Sequence, residues 1–487
     1  MQRAVNNFIT KVTGSRGGNE DAPNPEDLLR DHLGELSMVE QPGWVTLEEL
    51  IEKSESFPIP FRVQTTRVVT LHKSGHDKDK LEEQINSAYP LIHEKVLPLL
   101  AAFLHHKRIH GSKIERRLYQ KTDLLGLVER LLKKRPVVFV NSYDRYYLWD
   151  KSEGCGGFEV IGTNSEEKPL ILADYMSYDE MKISALLCVS SHSTFINDGR
   201  RENHGIPGDS GSFQPDGVIV GMVGPRMHRE EVMEYQDIVI TPQQNNKARG
   251  FGKNSCQNSV VKIWEQVWET ELPTWHEAHK SSEDTFLYFN PQIIFNKGVY
   301  KERIQMSAEI LLMEASVRAG AVGLQAYIHV VGLGLGVWRF YRNQEQLYVE
   351  AWGDTLKAIE TPNIAHVDFS WIEVDNCHGV KDGEVFPGTN ITLHFSRRAL
   401  HARVPSGTLL VTNFAWDSNT LPGNEYWLGS LTSSGDPAAA CSSGVAELHN
   451  TFINPRVTST NLHIVSRHGI EHVAKYAQRL EQQQQQR

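Results

Sequence analysis

The sequence is poor in cysteine and carries no excess of positive charge. It has five cysteines in 487 residues, odd in number and far apart, and none forms a C-x-x-C pair. This spacing favours neither a disulfide framework nor a zinc site, so we expect no metal and a reducing compartment. The net charge of −10 argues against a basic surface for phosphate backbones, so we also expect no nucleic acid partner.

Long apolar runs are missing as well. No run approaches the roughly 20 residues that a membrane span needs, so we expect no membrane partner. The first 25 residues, MQRAVNNFITKVTGSRGGNEDAPNP, lack the apolar core of a secretory signal. These features predict a cytoplasmic location, with the nucleus as a second candidate. A mitochondrial presequence is an alternative, because the first 16 residues are basic and contain no acidic residue.

What is present is ordinary globular material, 40% hydrophobic and 23% charged. The chain is longer than the roughly 100 to 200 residues of a typical domain, so we expect more than one core. The composition predicts a flexible leader at 1–30, a helical N-terminal region at 31–135, an α/β domain at 136–475 and a low-complexity tail at 476–487.

The helical prediction for the N-terminal region rests on residues 77–135, where apolar residues recur at three- and four-residue spacing, with breaks at Pro90 and Pro98. A histidine cluster lies in this segment and consists of His105, His106 and His110. A metal site is one interpretation. A solvated basic helix end is favoured, since Lys107 and Arg108 lie inside the cluster.

After residue 135, short apolar runs alternate with amphipathic segments. The predicted strands lie at 136–143, 217–223, 237–241, 326–331, 365–369, 391–395 and 408–413, and the predicted helices at 258–270, 302–319 and 343–360. Apolar strands separated by amphipathic helices predict a mixed sheet covered on both faces, an α/β sandwich of three layers. Ligands of such folds bind beyond the carboxyl ends of the strands, so the residues that follow each strand are the candidates for a site.

Three glycines at alternate positions follow the strand at 326–331. They are Gly332, Gly334 and Gly336 of GLGLGVW, and a predicted helix begins shortly after Trp338. Backbone N–H groups in such a loop can approach a diphosphate, which the start of a helix also favours. A glycine-rich turn that allows close helix packing is the alternative.

Two motifs around the strand at 217–223 are more typical of exposed loops. GDSG at 208–211 has the residues that surround a serine protease nucleophile, yet the alternation of helix and strand does not fit that class, and an exposed turn is favoured. After the strand, Glu230 and Glu231 are candidate paired carboxylates, with Met227 or Tyr235 beside a ring; a solvated edge is the more common reading of such a run.

Acidic residues are concentrated after the strand at 408–413, which ends in Asn413. Asp417, Glu425 and Asp436 follow in the stretch AWDSNTLPGNEYWLGSLTSSGDP. An Asx-turn would explain Asp417 alone, and Asp436 before Pro437 fits the cap of a helix. Neither explains why the same loop also holds several asparagines and two tryptophans.

This stretch resembles known proteins. A strand ending in Asn413 before a polar Pro-Gly turn is similar to the ADP-ribose loop of macrodomains, and AYIHVVGLGLGVW resembles their glycine-rich diphosphate loop. AWDSNTLPGNEYW with SGDPAAACSS looks like a family that includes a bacterial effector ADP-ribosylhydrolase, related in fold to poly(ADP-ribose) glycohydrolase. The resemblance covers residues 205–460, although the Gly-Gly-Gly turn and the Gln-Glu-Glu triplet of the glycohydrolases are not present.

The resemblance implies a macrodomain-like sandwich in 136–475 and an ADP-ribosylhydrolase without a cofactor. The expected partner is ADP-ribose or an ADP-ribosylated protein, with ubiquitin as one candidate. The implied catalytic residues are Asp417, Glu425 and Asp436, and the implied ligand-binding residues are Gly332, Gly334, Gly336, Trp338, Asn413 and Asn424, with Trp416 and Trp427 as further walls for a ring.

The chemistry of the residue types agrees with this expectation. Breaking a bond at an anomeric carbon passes through an oxocarbenium-like transition state, in which one carboxylate stabilises charge or activates water and another handles the proton of the leaving group. The alternative is a binding module that recognises ADP-ribose without turnover. Acidic groups repel a diphosphate, so three of them favour the enzyme.

Overall fold

The computed structural model describes residues 23–281, 284–417 and 419–486, and residues 1–22 of the predicted leader lie outside the described residues. The α-helices of the described residues are Pro25–Ser37, Leu47–Glu55, Val68–Lys73, Lys78–Asn86, Val96–His110, Lys113–Tyr119, Leu124–Lys133, Tyr178–Ser184, Tyr235–Ile238, Val260–Val267, Trp275–Lys280, Lys297–Ala321, Gln344–Ala358, Gly435–Ala440, Val445–Leu448 and Val473–Gln485. Short 3-10 helices lie at Phe158–Val160, Lys247–Arg249, Asn424–Leu428 and Ser459–Asn461.

The strands are β1 Tyr89–His93, β2 Val138–Val140, β3 Arg145–Tyr147, β4 Glu153–Cys155, β5 Cys188–Thr194, β6 Asp216–Met222, β7 Val239–Ile240, β8 Phe286–Asn290, β9 Ile293–Asn296, β10 Gln325–Val330, β11 Ile364–Ser370, β12 Asn376–Cys377, β13 Val380–Lys381, β14 Thr392–Ser396, β15 Thr408–Ala415, β16 His463–Ser466 and β17 Gly469–His472. Every strand predicted from the sequence has a counterpart among them.

A nine-stranded sheet forms the centre of the molecule, in the order β14-β11-β10-β15-β6-β5-β1-β16-β17. The five strands from β14 to β6 run parallel to one another, whereas β5 is antiparallel to both of its neighbours. The predicted mixed sheet is therefore confirmed. Because β6, β10 and β15 are adjacent and parallel, the loops that follow them leave the same edge of the sheet.

Chain segments cover both faces of this sheet. In β5 the neighbouring residues Ser190 and Ser191 point to opposite sides, since successive residues of a strand alternate. The hydroxyl of Ser190 donates to Glu314 of the long helix Lys297–Ala321 at 2.5 Å, while the hydroxyl of Ser191 lies 3.0 Å from the ring of His449. This double coverage explains why the strands are near-continuous apolar runs.

The helical prediction for residues 77–135, with its break at Pro90, did not include the strand β1. Residues 89–93 form a strand that pairs with β5 on one side and β16 on the other. Helical periodicity cannot be judged over a run this short, and its partners lie far away in the sequence. Pro98, by contrast, stays inside the helix Val96–His110, because it lies in the first turn, where a backbone N–H has no helical partner.

The structure differs from two further predictions, one about the end of the helix Val96–His110 and one about the leader. Lys107 at the end of the helix Val96–His110 is buried, with its Nζ 2.6 Å from a carboxylate oxygen of Asp179, so this helix end is only partly solvated. The helix Pro25–Ser37 begins within the predicted leader of residues 1–30 and continues beyond it. Of the helices in the described part of the chain, none is long and apolar enough to cross a membrane.

Candidate active site

The loops after β6 and β10 pack directly against each other. A Cβ on Gly224 would lie 2.2 Å from the backbone nitrogen of Gly334, whose own φ of +74° favours glycine and whose Cβ position faces Pro225 at 3.0 Å. Close packing is therefore present at Gly334, but against the loop after β6 and not against a helix as the alternative expected. A Cβ on Gly332 would meet Leu335 at 2.8 Å, and Gly336 has nothing within 4 Å, so Gly336 is the position with room for a ligand. The diphosphate loop stays a prediction.

Asp417 follows β15 at the same edge of the sheet. Its Oδ2 accepts a hydrogen bond from Nδ2 of Asn424 at 3.3 Å. Its Oδ1 is buried and accepts no hydrogen bond of acceptable geometry from the described part of the chain. The backbone N–H of Asn419 lies close enough to lower the pKa of this carboxyl. In Asp417, Oδ2 is therefore fixed by a hydrogen bond, whereas Oδ1 can still accept one.

Asp436 connects two points of the loop through hydrogen bonds to its backbone. Its Oδ1 accepts from the backbone N–H of Gly423 at 2.7 Å, and its Oδ2 accepts from the backbone N–H of Asp417 at 3.3 Å. The predicted helix cap at Asp436 is wrong, since Ser434 occupies the N-cap position of Gly435–Ala440 and Asp436 lies inside the first turn. The carboxylate satisfies backbone donors of the loop instead of those of its own helix.

Glu425 lies in the 3-10 helix Asn424–Leu428, where its Oε2 accepts from the hydroxyl of Ser434 at 3.3 Å. Burial raises the pKa of all three carboxyls, and they interact with one another. The pKa of Asp417 rises to about 6, chiefly by desolvation, with Glu425 adding to the rise. The pKa of Glu425 is raised, and that of Asp436 is raised well above its usual range, in both cases first by burial. The structure therefore brings the three predicted carboxylates together.

The predicted ligand-binding asparagines are already engaged with the protein. Asn413 is fully buried, and its Oδ1 accepts from the backbone N–H of Val331 at 2.9 Å, while its buried Nδ2 has no partner among the described residues. Asn424 bonds to the backbone of Phe139 as well as to Asp417. Their roles towards a ligand stay predictions.

The tryptophans divide into two groups. Trp416 and Trp427 are almost fully buried, so the expectation that they wall a ring is wrong for this structure: they are part of the core. Trp338 is half-buried, and its ring is parallel to that of His228 at a centroid distance of 6.1 Å. Trp338 therefore remains the aromatic candidate for ligand contact.

The loop after β6 contributes an arginine that sequence reasoning missed. The guanidinium of Arg226 is buried, lies 4.5 Å from the ring centroid of Phe139 and donates to Asp144 at 2.9 Å. Its charge lowers the pKa of Asp417, against the effect of burial. The sequence could have indicated Arg226, because it follows the Gly-Pro turn in the loop after β6. Nothing in the sequence indicated its partner Asp144, which lies between β2 and β3.

The two other motifs near β6 lie in exposed or half-buried loops. Glu231 forms an ion pair with Arg249 at 2.8 Å, and Glu230 is exposed, in line with a solvated edge. Ser210 is in an exposed turn, as predicted. In the described part of the chain, no group of three His, Cys, Asp or Glu side chains is arranged to hold a metal ion.

Three electrostatically coupled carboxylates beyond the carboxyl ends of parallel strands define an α/β enzyme with an acid–base site. The chain belongs to the family described as ADP-ribosylhydrolase MavL-like, whose model matches residues 48–479. The match extends well beyond residues 205–460, so most of the N-terminal region is included.

Curated relatives agree with this family. The chain is 37% identical over 482 residues to the ADP-ribosylarginine hydrolase CG2909 of Drosophila melanogaster, which covers 94% of this chain and 95% of the relative. It is 40% identical over 455 residues to the ADP-ribosylarginine hydrolase CG3568 of the same organism, covering 90% and 89%. The protein is an ADP-ribosylhydrolase, which confirms the predicted enzyme rather than a non-catalytic binding module.

Proposed function

We propose that this hydrolase removes ADP-ribose from arginine side chains, with Asp417 and Glu425 as the acid–base pair. The two relatives carry arginine in their names. The site supports the same linkage, because the ionised carboxylate of Asp417 complements a cationic guanidinium, to which carboxylates bind strongly and with defined geometry.

In the proposed reaction, Asp417 takes a proton from a water molecule whose oxygen forms a new bond to the anomeric carbon. The bond from that carbon to the guanidine nitrogen breaks, and its electron pair stays on the nitrogen. The leaving guanidine accepts a proton from Glu425, whose pKa is raised by burial. Asp436 is given a positioning role, since both of its oxygens are held by backbone N–H groups.

The observation that carries this proposal is Oδ1 of Asp417, which is buried and has no hydrogen-bond partner of acceptable geometry among the described residues. Buried polar atoms in folded proteins are nearly all hydrogen-bonded, and exceptions call for an explanation. A carboxylate oxygen in this state, beside a second carboxyl and at the carboxyl end of β15, is suited to accept a proton from water.

The test compares ADP-ribose release from proteins modified on arginine, serine or glutamate. We expect release from the arginine conjugate, with a loss of about 10²- to 10⁴-fold in Asp417→Asn. The matched control is Asp209→Asn in the exposed turn after β5, which should keep full activity. The linkage proposal fails if another conjugate is the better substrate. The catalytic assignment fails if Asp417→Asn releases ADP-ribose at the wild-type rate.

Two finer features belong to the same proposal. The sheet covered on both faces supports a macrodomain-like sandwich, with the site beyond β6, β10 and β15. Ubiquitin is a candidate protein substrate. Arginine-modified ubiquitin beside an arginine-modified peptide of unrelated sequence would test it: equal kcat/KM on both would argue against a preference for ubiquitin.

A further inference from the structure

We infer that Asn424 is a positioning residue, which fixes the orientation and the charged state of the Asp417 carboxylate. This inference rests on the proposed role of Asp417. It gives Asn424 a different task from the ligand contact that the sequence suggested, because the side-chain amide is occupied on both of its ends.

The side-chain amide of Asn424 forms hydrogen bonds with the backbone of Phe139 and with the carboxylate of Asp417. Its Oδ1 accepts from the backbone N–H of Phe139 at 3.0 Å, and its Nδ2 donates to the carbonyl of Phe139 at 3.1 Å. The same Nδ2 donates to Oδ2 of Asp417 at 3.3 Å. Since β2 fixes both ends of the amide, the donor that faces Asp417 cannot turn away without breaking two buried hydrogen bonds.

The backbone of Asn424 is in an uncommon conformation, with a φ of +39°. A non-glycine residue with positive φ is uncommon, though asparagine tolerates it better than most. The residue is also 97% buried, with a fractional exposure of 3%. Such a conformation persists when its surroundings determine it, and it is often found at functional sites.

Phe139 connects Asn424 to the other group that favours ionised Asp417. Its backbone forms hydrogen bonds with the amide of Asn424, and its ring centroid lies 4.5 Å from the guanidinium carbon of Arg226. Phe139 therefore holds in place the amide that donates to Asp417, and it packs against the cation whose charge lowers the pKa of the same carboxyl. With Oδ2 held by Asn424, it is Oδ1 that is left to accept a proton.

The charged and titratable groups that face Asp417 come from four separate segments of the chain: Arg135, Asp144, Arg226, Glu425 and Asp436. Two are cations and three are acidic. The effects of these charges on the pKa of Asp417 partly cancel. Loss of the hydrogen bond from Nδ2 of Asn424 to Oδ2 should therefore change that pKa measurably.

The experiment measures kcat, KM and the acid limb of the pH profile for two variants, on whichever linkage the wild type cleaves. Asn424→Asp keeps the size of the side chain but places an acceptor where Asp417 needs a donor. We expect it to move the acid limb to higher pH by about 1 unit or more. Asn424→Gly, which suits the positive φ, removes the side chain, and we expect kcat to fall about 10- to 100-fold while KM and the affinity for ADP-ribose change little.

Tyr426→Phe is the matched control. Tyr426 lies in the same 3-10 helix, and its hydroxyl accepts from the backbone N–H groups of Arg62 and Val63 without contacting Asp417. It should lower the melting temperature and leave the acid limb unmoved. A wild-type kcat in folded Asn424→Gly, or an unmoved acid limb in folded Asn424→Asp, would overturn the inference. If Asn424→Asp does not fold, Asn424→Gly decides alone. Failure on the arginine conjugate refutes the linkage and leaves this comparison intact.

Discussion

Lowering the pH from 7 to 5 should reduce kcat/KM about tenfold, because Asp417 takes up a proton in this interval. The pKa of about 6 implies that the carboxyl is about 90% ionised at pH 7 and about 10% ionised at pH 5. An aspartate at the ordinary value of 3.8 would remain more than about 90% ionised at pH 5, and no such fall would be seen.

The size of this effect follows from opposing contributions around Asp417. Burial raises the pKa most, the charge of Arg226 lowers it, and Glu425 raises it again. The assay is the initial rate of ADP-ribose release at substrate concentrations below KM, between pH 5 and pH 9, because kcat/KM reports the ionisation of the free enzyme. Circular dichroism at each pH should confirm that the protein stays folded.

Two results would refute this reasoning. A flat profile between pH 5 and 7 would mean that the protonation of Asp417 does not limit the reaction. A rate that rises as the pH falls towards 6 would make protonated Asp417 the reactive form, hence the proton donor instead of the acceptor. Either outcome would reverse or remove the role given to its unpartnered oxygen.

Further substitutions test the surroundings of this carboxyl. Arg226→Met should move the acid limb of kcat/KM to higher pH and destabilise the protein by about 3 to 5 kcal/mol in urea, since it breaks a buried ion pair with Asp144, whereas Arg226→Lys should move the limb less. Gly423→Ala should cost about 1 to 3 kcal/mol in the same assay, because φ is +103° there; an unchanged midpoint would contradict the strain. The pKa of Asp436 is raised, so its contribution to stability is largest below its ordinary pKa and is lost as the pH rises through the raised one. The melting temperature of Asp436→Asn, which imitates the protonated form, should therefore fall less than that of the wild type between pH 5 and pH 9, and parallel curves would contradict this.

The sequence predicted those parts of the fold whose signal is local and long. The strand predicted at 408–413 is observed as Thr408–Ala415, and the helix predicted at 343–360 as Gln344–Ala358. β1 was missed because it is five residues long, contains a proline and lies between helices. Its identity as a strand depends on β5 and β16, which no window around residue 90 contains.

The same distinction applies to the site. Asp417, Glu425 and Asp436 could be proposed together because they lie on one acid-rich loop after a strand, although Asp436 was chosen mainly because the loop resembles a known family. Their catalytic roles stay predictions. Arg226 and Asp144 come from other segments, and their pairing depends on how the hairpin β2–β3 packs. The contact of Asn424 with Phe139 could not be predicted for a similar reason, since tertiary structure brings Phe139 to it; its role towards a ligand stays a prediction.

The N-terminal region contacts the loop that carries the three carboxyls, and the electrostatics of that loop show why such contacts are needed. Burying three carboxyls in one loop opposes folding, so other contacts must hold the loop in place. The rings of Tyr426 and Trp427 are fully buried, and the N-terminal region secures both: the backbone of Val63 donates to the hydroxyl of Tyr426 at 3.0 Å, and Nε of Arg62 donates to the carbonyl of Trp427 at 2.9 Å. Together with β1, which lies between β5 and β16 in the main sheet, these contacts make residues of the N-terminal region part of the structure that supports the loop. A role in selecting the modified protein would be additional to this one, and removal of the region should abolish the site before it alters specificity.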